Sequence, residues 1–380
     1  MSLLEFKGSN CFRQRLILST LSLKSMVIKD IRVKHEEVGL REYELNLLSL
    51  IEKLTNGSSY EVDETGTQLT CKPGLLIGGK VEHECSLQRS ISYYLEVLLC
   101  FAPFCKVPLD VTLIGITNDQ IDVSVDSLKH SSTPILIKFL GILDPSEVEI
   151  KVISRGLPPN GGGEVLFRCP IRKYLKPVNM LNSGKIKRIR GVAFATRVAP
   201  SIANRIVDKA KGYLLKCIPD VYIYTDHRHG KHSGKSPGFG LCLVAETTNE
   251  VFYTSDAVSN PSGSEKGVSV PEDVAVEAVF NLFEEIYRGG CFSSNNQALA
   301  CLFMALGQTD VSKIQLGPLS PYCIQFLRHM KSFLHVTFKL EVDESSEKVD
   351  SEGYEYKKGS QKVIATCIGI GMMNLSKTII

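Results

Sequence analysis

The segment Asp226–Gly240, DHRHGKHSGKSPGFG, gathers more groups able to do chemistry than any other short stretch of the chain. Within it, Gly230-Lys231-His232-Ser233-Gly234-Lys235-Ser236 looks like a phosphate loop, in which backbone N–H groups and a lysine cradle a nucleotide's phosphates. That motif runs G-x-x-x-x-G-K-S/T; here the spacing is one residue short, and position 229 is histidine. The lysine-serine pair should also open a helix whose N-terminus faces the anion. Pro237, Gly238 and Gly240 follow instead and oppose an immediate helix. His227, His229 and His232 have Asp226 beside them but no cysteine or further carboxylate pattern, short of a metal set. The reading is a basic loop exposed to solvent, with Lys231 and Lys235 as a surface for RNA or a protein partner. No metal and no cofactor is expected.

Two other stretches concentrate charge. Residues 168–197 hold nine cations, Arg188 and Arg190 among them, and no Asp or Glu. Such a tract either meets phosphates or forms a solvated face beside a domain junction. In FLRHMKSFLH, Arg328, His329 and Lys331 could bind phosphate or move a proton, although nothing in their spacing is diagnostic.

The elements that must position these groups read as follows. At 380 residues the chain exceeds one core, so two or more domains are expected. Net charge is only +3, and no apolar run reaches membrane-spanning length. The start, MSLLEFKGSNCFRQRL, lacks the basic and apolar regions of a signal peptide. Twelve cysteines without a C-x-x-C pair point to buried thiols in a reducing compartment. Periodicity gives strand–helix–strand–helix–strand–strand twice, with helices over 11–21, 38–54, 86–101 and about 123–140. A third copy can be assembled from helices at 271–288, 295–306 and 321–330 and a last hairpin; Ser269 is the expected cap of the first, with Pro271 at its start. Residues 185–265 interrupt it. The fold class is α/β of α+β type: three βαβαββ repeats (about 1–72, 73–170, and 171–184 plus 266–380) forming a large domain (1–184 and 266–380), with a small inserted α/β domain at 185–265. The acidic stretch 341–352 reads as a disordered hairpin loop.

Between two of these strands lies Arg155-Gly156-Leu157-Pro158-Pro159-Asn160-Gly161-Gly162-Gly163-Glu164-Val165. Three glycines permit positive φ and close backbone approach, so the turn can be tight or can face a phosphate. This run matches the signature R-G-x-x-P-x-G-G-G-x-V and resembles the RNA 3'-terminal phosphate cyclase superfamily, with Arg155, Gly156, Pro158, Gly161, Gly162 and Gly163 as its fixed positions. KGSNCFRQRLILSTL, LIGITND, KIKRIRGVAF, SGKSPGFGLCLVAETT and LGPLSPYCIQFLRHMKSF are similar to the eukaryotic cyclase-like branch, so that the resemblance covers nearly the whole chain.

The resemblance implies chemistry that the residues do not support. In the enzymes a histidine attacks ATP, and AMP then passes to an RNA 3'-phosphate. The stretch matching that histidine's motif is Ser293-Ser294-Asn295-Asn296-Gln297, so Ser293 stands in the nucleophile's place, followed by Asn296 and Gln297. A serine hydroxyl without a base is inert. The enzymes' glycine-rich N-terminal loop is replaced by Gly8-Ser9-Asn10-Cys11-Phe12. No catalytic residue is therefore expected. Arg13 and Arg32 fall at family arginine positions and, with Gln297, form a candidate anion or RNA pocket; the alternative is ordinary ion pairs for the arginines and a helix cap for Ser293. The branch implies a nuclear and nucleolar assembly factor of the small-subunit processome. Its partners would be a ribosome-biogenesis GTPase and pre-ribosomal RNA, and it would be monomeric outside its complexes. The competing reading is an enzyme on RNA: an endonuclease through Arg328, His329 and Lys331, or a residual cyclase through His329 or His335.

Overall fold

The computed structural model describes residues 3–374 apart from 262, 345–346, 350–354 and 358; the side chains of Lys231, 347–349 and 355–357 also lie outside the described residues. The first repeat runs β1 (Leu4–Lys7), α1 (Phe12–Ser22), β2 (Met26–Lys29), α2 (Glu42–Leu54), β3 (Ser59–Val62) and β4 (Leu69–Lys72). In its sheet β1 lies parallel to β2, β2 antiparallel to β4, and β4 antiparallel to β3. A parallel pair needs a crossover, and α1 supplies it.

The second repeat copies this order with β5 (Gly78–Glu84), α3 (Ile91–Phe101), β6 (Val107–Gly115), α4 (Val125–Leu140), β7 (Glu149–Ser154) and β8 (Gly163–Cys169). Its sheet has the sequence β5-β6-β8-β7 with the same pairing senses. The third opens with the short β9 (Asn179–Met180). The chain then leaves for a different sheet: β10 (Ile186–Thr196), α5 (Pro200–Leu214), β11 (Val221–Arg228), β12 (Gly238–Thr247), β13 (Phe252–Val258) and α6 (Pro271–Arg288). That sheet is ordered β11-β10-β12-β13. The third repeat resumes with α7 (Gln297–Leu306), β14 (Val311–Leu316), α8 (Pro321–Leu334), β15 (Lys339–Asp343) and β16 (Lys362–Ile368), its sheet ordered β9-β14-β16-β15. Helix α1 packs on α3 and α8, α3 on α4, and α7 on α8, so the repeats share a helical core.

Several expectations change. Helix α6 packs chiefly on α5, β12 and β13, which sets it in the layer of the inserted sheet, while its last carbonyls, Tyr287 and Arg288, accept from Ser360 of the third repeat. The third repeat's helices are α7 and α8. Ser269 does not cap α6; its hydroxyl accepts the Asn260 N–H, and Val270 holds the cap position. Helix α2 begins at Glu42 instead of Val38, because Gly39 takes a φ of +86° and donates to the Ile31 carbonyl. Helix α3 begins after Ser90, whose Oγ accepts the Ser92 N–H, and not at Ser86. Part of the acidic stretch is ordered. Glu341–Asp343 end an edge strand in which Val342 pairs with Val363, Glu344 after it is exposed, and Glu347–Val349 pair with Glu355–Lys357; residues 345–346 and 350–352 lie outside the described residues. Ten of the twelve cysteines are buried and all are free thiols. Among the described residues no helix is long and apolar enough to cross a membrane.

Candidate functional site

The N-terminal loop sets the first part of the site. Gly8 and Cys11 both take positive φ, and the chain turns sharply into α1. Arg15 closes this turn. Its guanidinium donates to the Gly8 carbonyl at 2.7 Å and lies 4.9 Å above the Phe6 ring. Among the described residues it has no carboxylate partner, and burial lowers its pKa from the ordinary arginine value. The loop is thus folded onto an arginine, a role that a family comparison of glycines and acids does not reveal.

Two residues earlier, on the other side of the helix, Arg13 faces the second repeat. It pairs with Glu96 at 2.8 Å, donates to the Tyr93 carbonyl and stacks 4.4 Å above the Tyr93 ring. Burial opposes its charge, but Glu96 and neighbouring groups outweigh that and hold its pKa above the ordinary value. Arg32, at a φ of +49°, grips both oxygens of Glu44 at 2.7 Å and reaches the Tyr43 hydroxyl and the Gly39 carbonyl. Tyr43 and Tyr93 meet edge to face at 5.3 Å. Arg89, which the sequence reading missed, lies over both rings and forks onto Asp122. It immediately precedes the Ser90 cap of α3, where a cation opposes the helix dipole; that misplacement was the available sign of a dedicated carboxylate partner. Arg13 and Arg32 do converge on one tyrosine pair, but each is neutralised by its own acid. Gln297 does not join them as an open donor: its Nε2 donates to the Pro318 carbonyl and its Oε1 accepts the Ser320 N–H. The expected pocket of Arg13, Arg32 and Gln297 is a set of filled hydrogen-bond partners.

Ser293 precedes the single turn that enters α7 and is 2% exposed. Its Oγ accepts from Asn296 Nδ2 at 3.1 Å, and Asn296 Oδ1 in turn accepts from Ser132 Oγ at 2.7 Å. This chain of neutral groups offers the hydroxyl no base. Ser293 is the N-cap residue of that turn by position, although its side chain makes no cap bond to the backbone.

The glycine signature and the opening loop turn out to be partners. Lys235 N–H donates to the Gly161 carbonyl at 2.9 Å, Asn160 N–H to Ser236 Oγ at 3.0 Å, and Arg155 N–H to the His232 carbonyl at 3.2 Å. A Cβ on Gly162 would stand 3.1 Å from the Lys235 side chain, and one on Gly234 would stand 2.4 Å from the Arg155 carbonyl. Gly161 and Gly162 take positive φ, as the turn required, and they pack against Leu87, Gly115 and the Gly234-Lys235 segment. Gly156 and Gly163 sit so close that a Cβ on Gly156 would meet the Gly163 nitrogen at 2.2 Å. Beneath them Arg155, its side chain 3% exposed, joins Asp126 of α4 to Asp226 of β11 and stacks on Phe194. The loop expected to be a solvated surface is therefore largely a joint between repeat and insert. Ser233 and Ser236 are buried and Lys235 is exposed; the Lys231 side chain lies outside the described residues.

The remaining candidates divide. Arg328 and Lys331 are exposed on the outer face of α8. His329 points the other way, 3% exposed, with Nδ1 against Gln14 Oε1 at 3.0 Å and Nε2 against Gln325 Nε2 at 3.2 Å. Burial, with Arg15 nearby, lowers its pKa to about 4. The imidazole is a neutral clamp between α8 and α1, so the arrangement does not unite Arg328, His329 and Lys331. His335 ends α8 beside Lys24. Arg188 pairs with Glu246 and Arg190 with Asp220 on the inserted sheet.

Comparison with known proteins agrees with these features. The family model described as RNA 3'-terminal phosphate cyclase matches residues 4–340. The chain is 55% identical over 376 residues to the RNA 3'-terminal phosphate cyclase-like protein of Mus musculus, covering 99% of this chain and 98% of that one. It is 47% identical to the probable cyclase-like protein of Dictyostelium discoideum, over 99% of this chain and all of the relative. It is 37% identical to the rRNA processing protein rcl1 of Schizosaccharomyces pombe, covering 98% of each. With its repeated sheets and signature loop, the chain belongs to the RNA 3'-terminal phosphate cyclase family.

Proposed function

We propose that this protein is a non-enzymatic factor in pre-ribosomal RNA processing that has lost cyclase activity. The observation that carries this reading is the buried Ser293, whose hydroxyl is tied to the Asn296 amide where the family's chemistry needs a nucleophilic imidazole. The relative named as an rRNA processing protein supports the process. In this reading the protein acts in the nucleus and nucleolus within the small-subunit processome, is monomeric outside its complexes, and binds a ribosome-assembly GTPase. The three-repeat body and the insert from 185 to 288 act as one scaffold joined at Arg155. Any anion held near Arg13 and Arg32 is bound through displacement of Glu96 or Glu44, not in a preformed pocket. The burial of His329 weighs against direct cleavage through Arg328, His329 and Lys331, because it removes the proton-transfer group from the exposed cations.

The test is replacement in cells. Depletion should accumulate unprocessed small-subunit precursor RNA, and a Ser293→Ala protein should restore processing as fully as the native one. Failure of Ser293→Ala, expressed at native level and folded, would show that the hydroxyl takes part in chemistry.

A further inference from the structure

The inserted sheet has two faces. One carries Ile189, Ala193 and Ala195 and is covered by α5 and α6. The other is covered at one end only, where α4 packs on β12 and β13 and Asp256 accepts the Ser124 N–H and the Ser127 hydroxyl. The opposite corner is open. There the edge strand β11 presents Tyr222 and Tyr224, 51% and 55% exposed, with ring centroids 4.5 Å apart. Residues two apart on a strand share a face. Register places Arg190 opposite Tyr222 and Val192 opposite Tyr224, so these four side chains occupy one surface. Arg188, two residues from Arg190, extends it.

Exposed tyrosines beside arginines on an open sheet face are the physical requirements for stacking unpaired bases while phosphates meet cations. The corner is formally neutral, with Arg188 and Arg190 each paired to an acid, but unlike Arg13 and Arg32 these guanidiniums are partly open to solvent, their side chains 39% and 31% exposed, so a phosphate can share them without displacing a buried carboxylate. Lys187, Arg188 and Arg190 all act on Asp220, whose carboxyl is held below the ordinary range, first by its hydrogen bond from Arg190. The two acids present, Asp220 and Glu246, are each engaged by an arginine, through donors at 2.8 and 2.7 Å. Tyrosine and arginine also serve in protein interfaces, so the preference for RNA rests on the pair of exposed rings on an open sheet face, and a protein ligand is an outcome the test must separate.

We propose that the corner formed by Tyr222, Tyr224, Arg188 and Arg190 binds single-stranded RNA, with a base stacked on each tyrosine. The proposal rests on the RNA-processing reading for its biological setting, but its test does not. The full chain is titrated against a fluorescein-labelled, unstructured oligouridine and against a hairpin duplex of equal length, read by anisotropy over a range of salt. Stacking predicts that the Tyr222→Ala/Tyr224→Ala protein binds the single strand about tenfold or more weaker, since each stacked base contributes appreciably, while Tyr222→Phe/Tyr224→Phe stays within about threefold. Arg190→Ala should weaken binding and flatten the salt dependence. Native binding of the single strand that is unchanged by the double alanine substitution, absent altogether, or no tighter than duplex binding would overturn the proposal. Because both tyrosines are surface residues, circular dichroism should show the variants folded; loss of a protein partner with RNA binding intact would also overturn it. A processing defect in cells without these binding losses would leave the functional reading standing and remove this one.

Discussion

Replacing Arg155 by methionine removes the charge that joins the second repeat to the insert while keeping most of the side-chain volume. The native guanidinium holds Asp126 through two hydrogen bonds at 2.7 and 3.0 Å and Asp226 through one at 2.8 Å. Asp226 keeps a second partner, Arg228 at 2.6 Å. Asp126 is left buried without a bound cation, and stranding one partner of a buried pair costs about 3–5 kcal/mol. The methionine fills the space, so a cavity adds little. The sign of the pH effect distinguishes this from a general packing loss. In the native protein burial raises the Asp126 pKa, but Arg155 outweighs it and the net value is depressed. Its contribution is therefore present above the unfolded carboxylate value and is lost as pH falls through the depressed folded value. In the variant burial is opposed only by the weaker influence of His130 and Lys129, and the folded pKa is raised. That form gains relative stability as pH falls toward the unfolded value and loses it as pH rises. Urea unfolding at pH 7 and pH 5 should show a deficit of about 3–5 kcal/mol at pH 7 that narrows at pH 5. Adding Asp126→Asn should recover roughly 2 kcal/mol through the coupling of the pair. A deficit under about 1 kcal/mol, or one equal at both pH values, would refute the reasoning.

Other outcomes follow from the same geometry. His329→Gln should flatten stability between pH 7 and 4, because a folded pKa of about 4 against an ordinary 6.5 makes the native protein lose on the order of 3 kcal/mol across that window as pH falls; thermal unfolding over pH reads this, and an unchanged slope would count against the clamp. Gly234→Ala should destabilise by more than about 1 kcal/mol, since φ is +57° and its Cβ meets the Arg155 carbonyl at 2.4 Å, whereas the exposed Lys235→Glu should leave the melting temperature within error. Ser293→His should not create a nucleophile, because position 293 is 2% exposed and its side-chain partners are the neutral Asn296 and Ser132, and should lower stability by about 1–3 kcal/mol through overpacking; adenylylation of the Ser293→His variant would contradict this.

The repeats were legible because each carries its own local signals: alternating strands such as Val107–Gly115, amphipathic helices, and the glycines between β7 and β8. The signature loop likewise announced a turn that only glycine tolerates. What remained hidden depends on contacts between distant segments. Helix α6 has the length and caps of a repeat helix, and only packing against α5 and β13 shows which sheet owns it. Arg13 and Arg32 carry no mark in the sequence of the acids that occupy them, Glu96 and Glu44. The Ser233–Ser236 loop looked solvated because its composition is polar, yet the Lys235 N–H meets the Gly161 carbonyl and the Ser236 hydroxyl accepts the Asn160 N–H, a pairing no periodicity encodes. His329 lies next to two exposed cations in sequence and faces away from them in space, since successive helix positions point in different directions.

The central claim is that the family's covalent step is absent from this protein. Incubating the purified full chain with ATP and magnesium, followed by denaturation and intact-mass spectrometry, tests it directly. The account predicts unmodified protein alone, for the native chain and for Ser293→Ala. A mass increment of one AMP on the native chain, stable to denaturation, would contradict it.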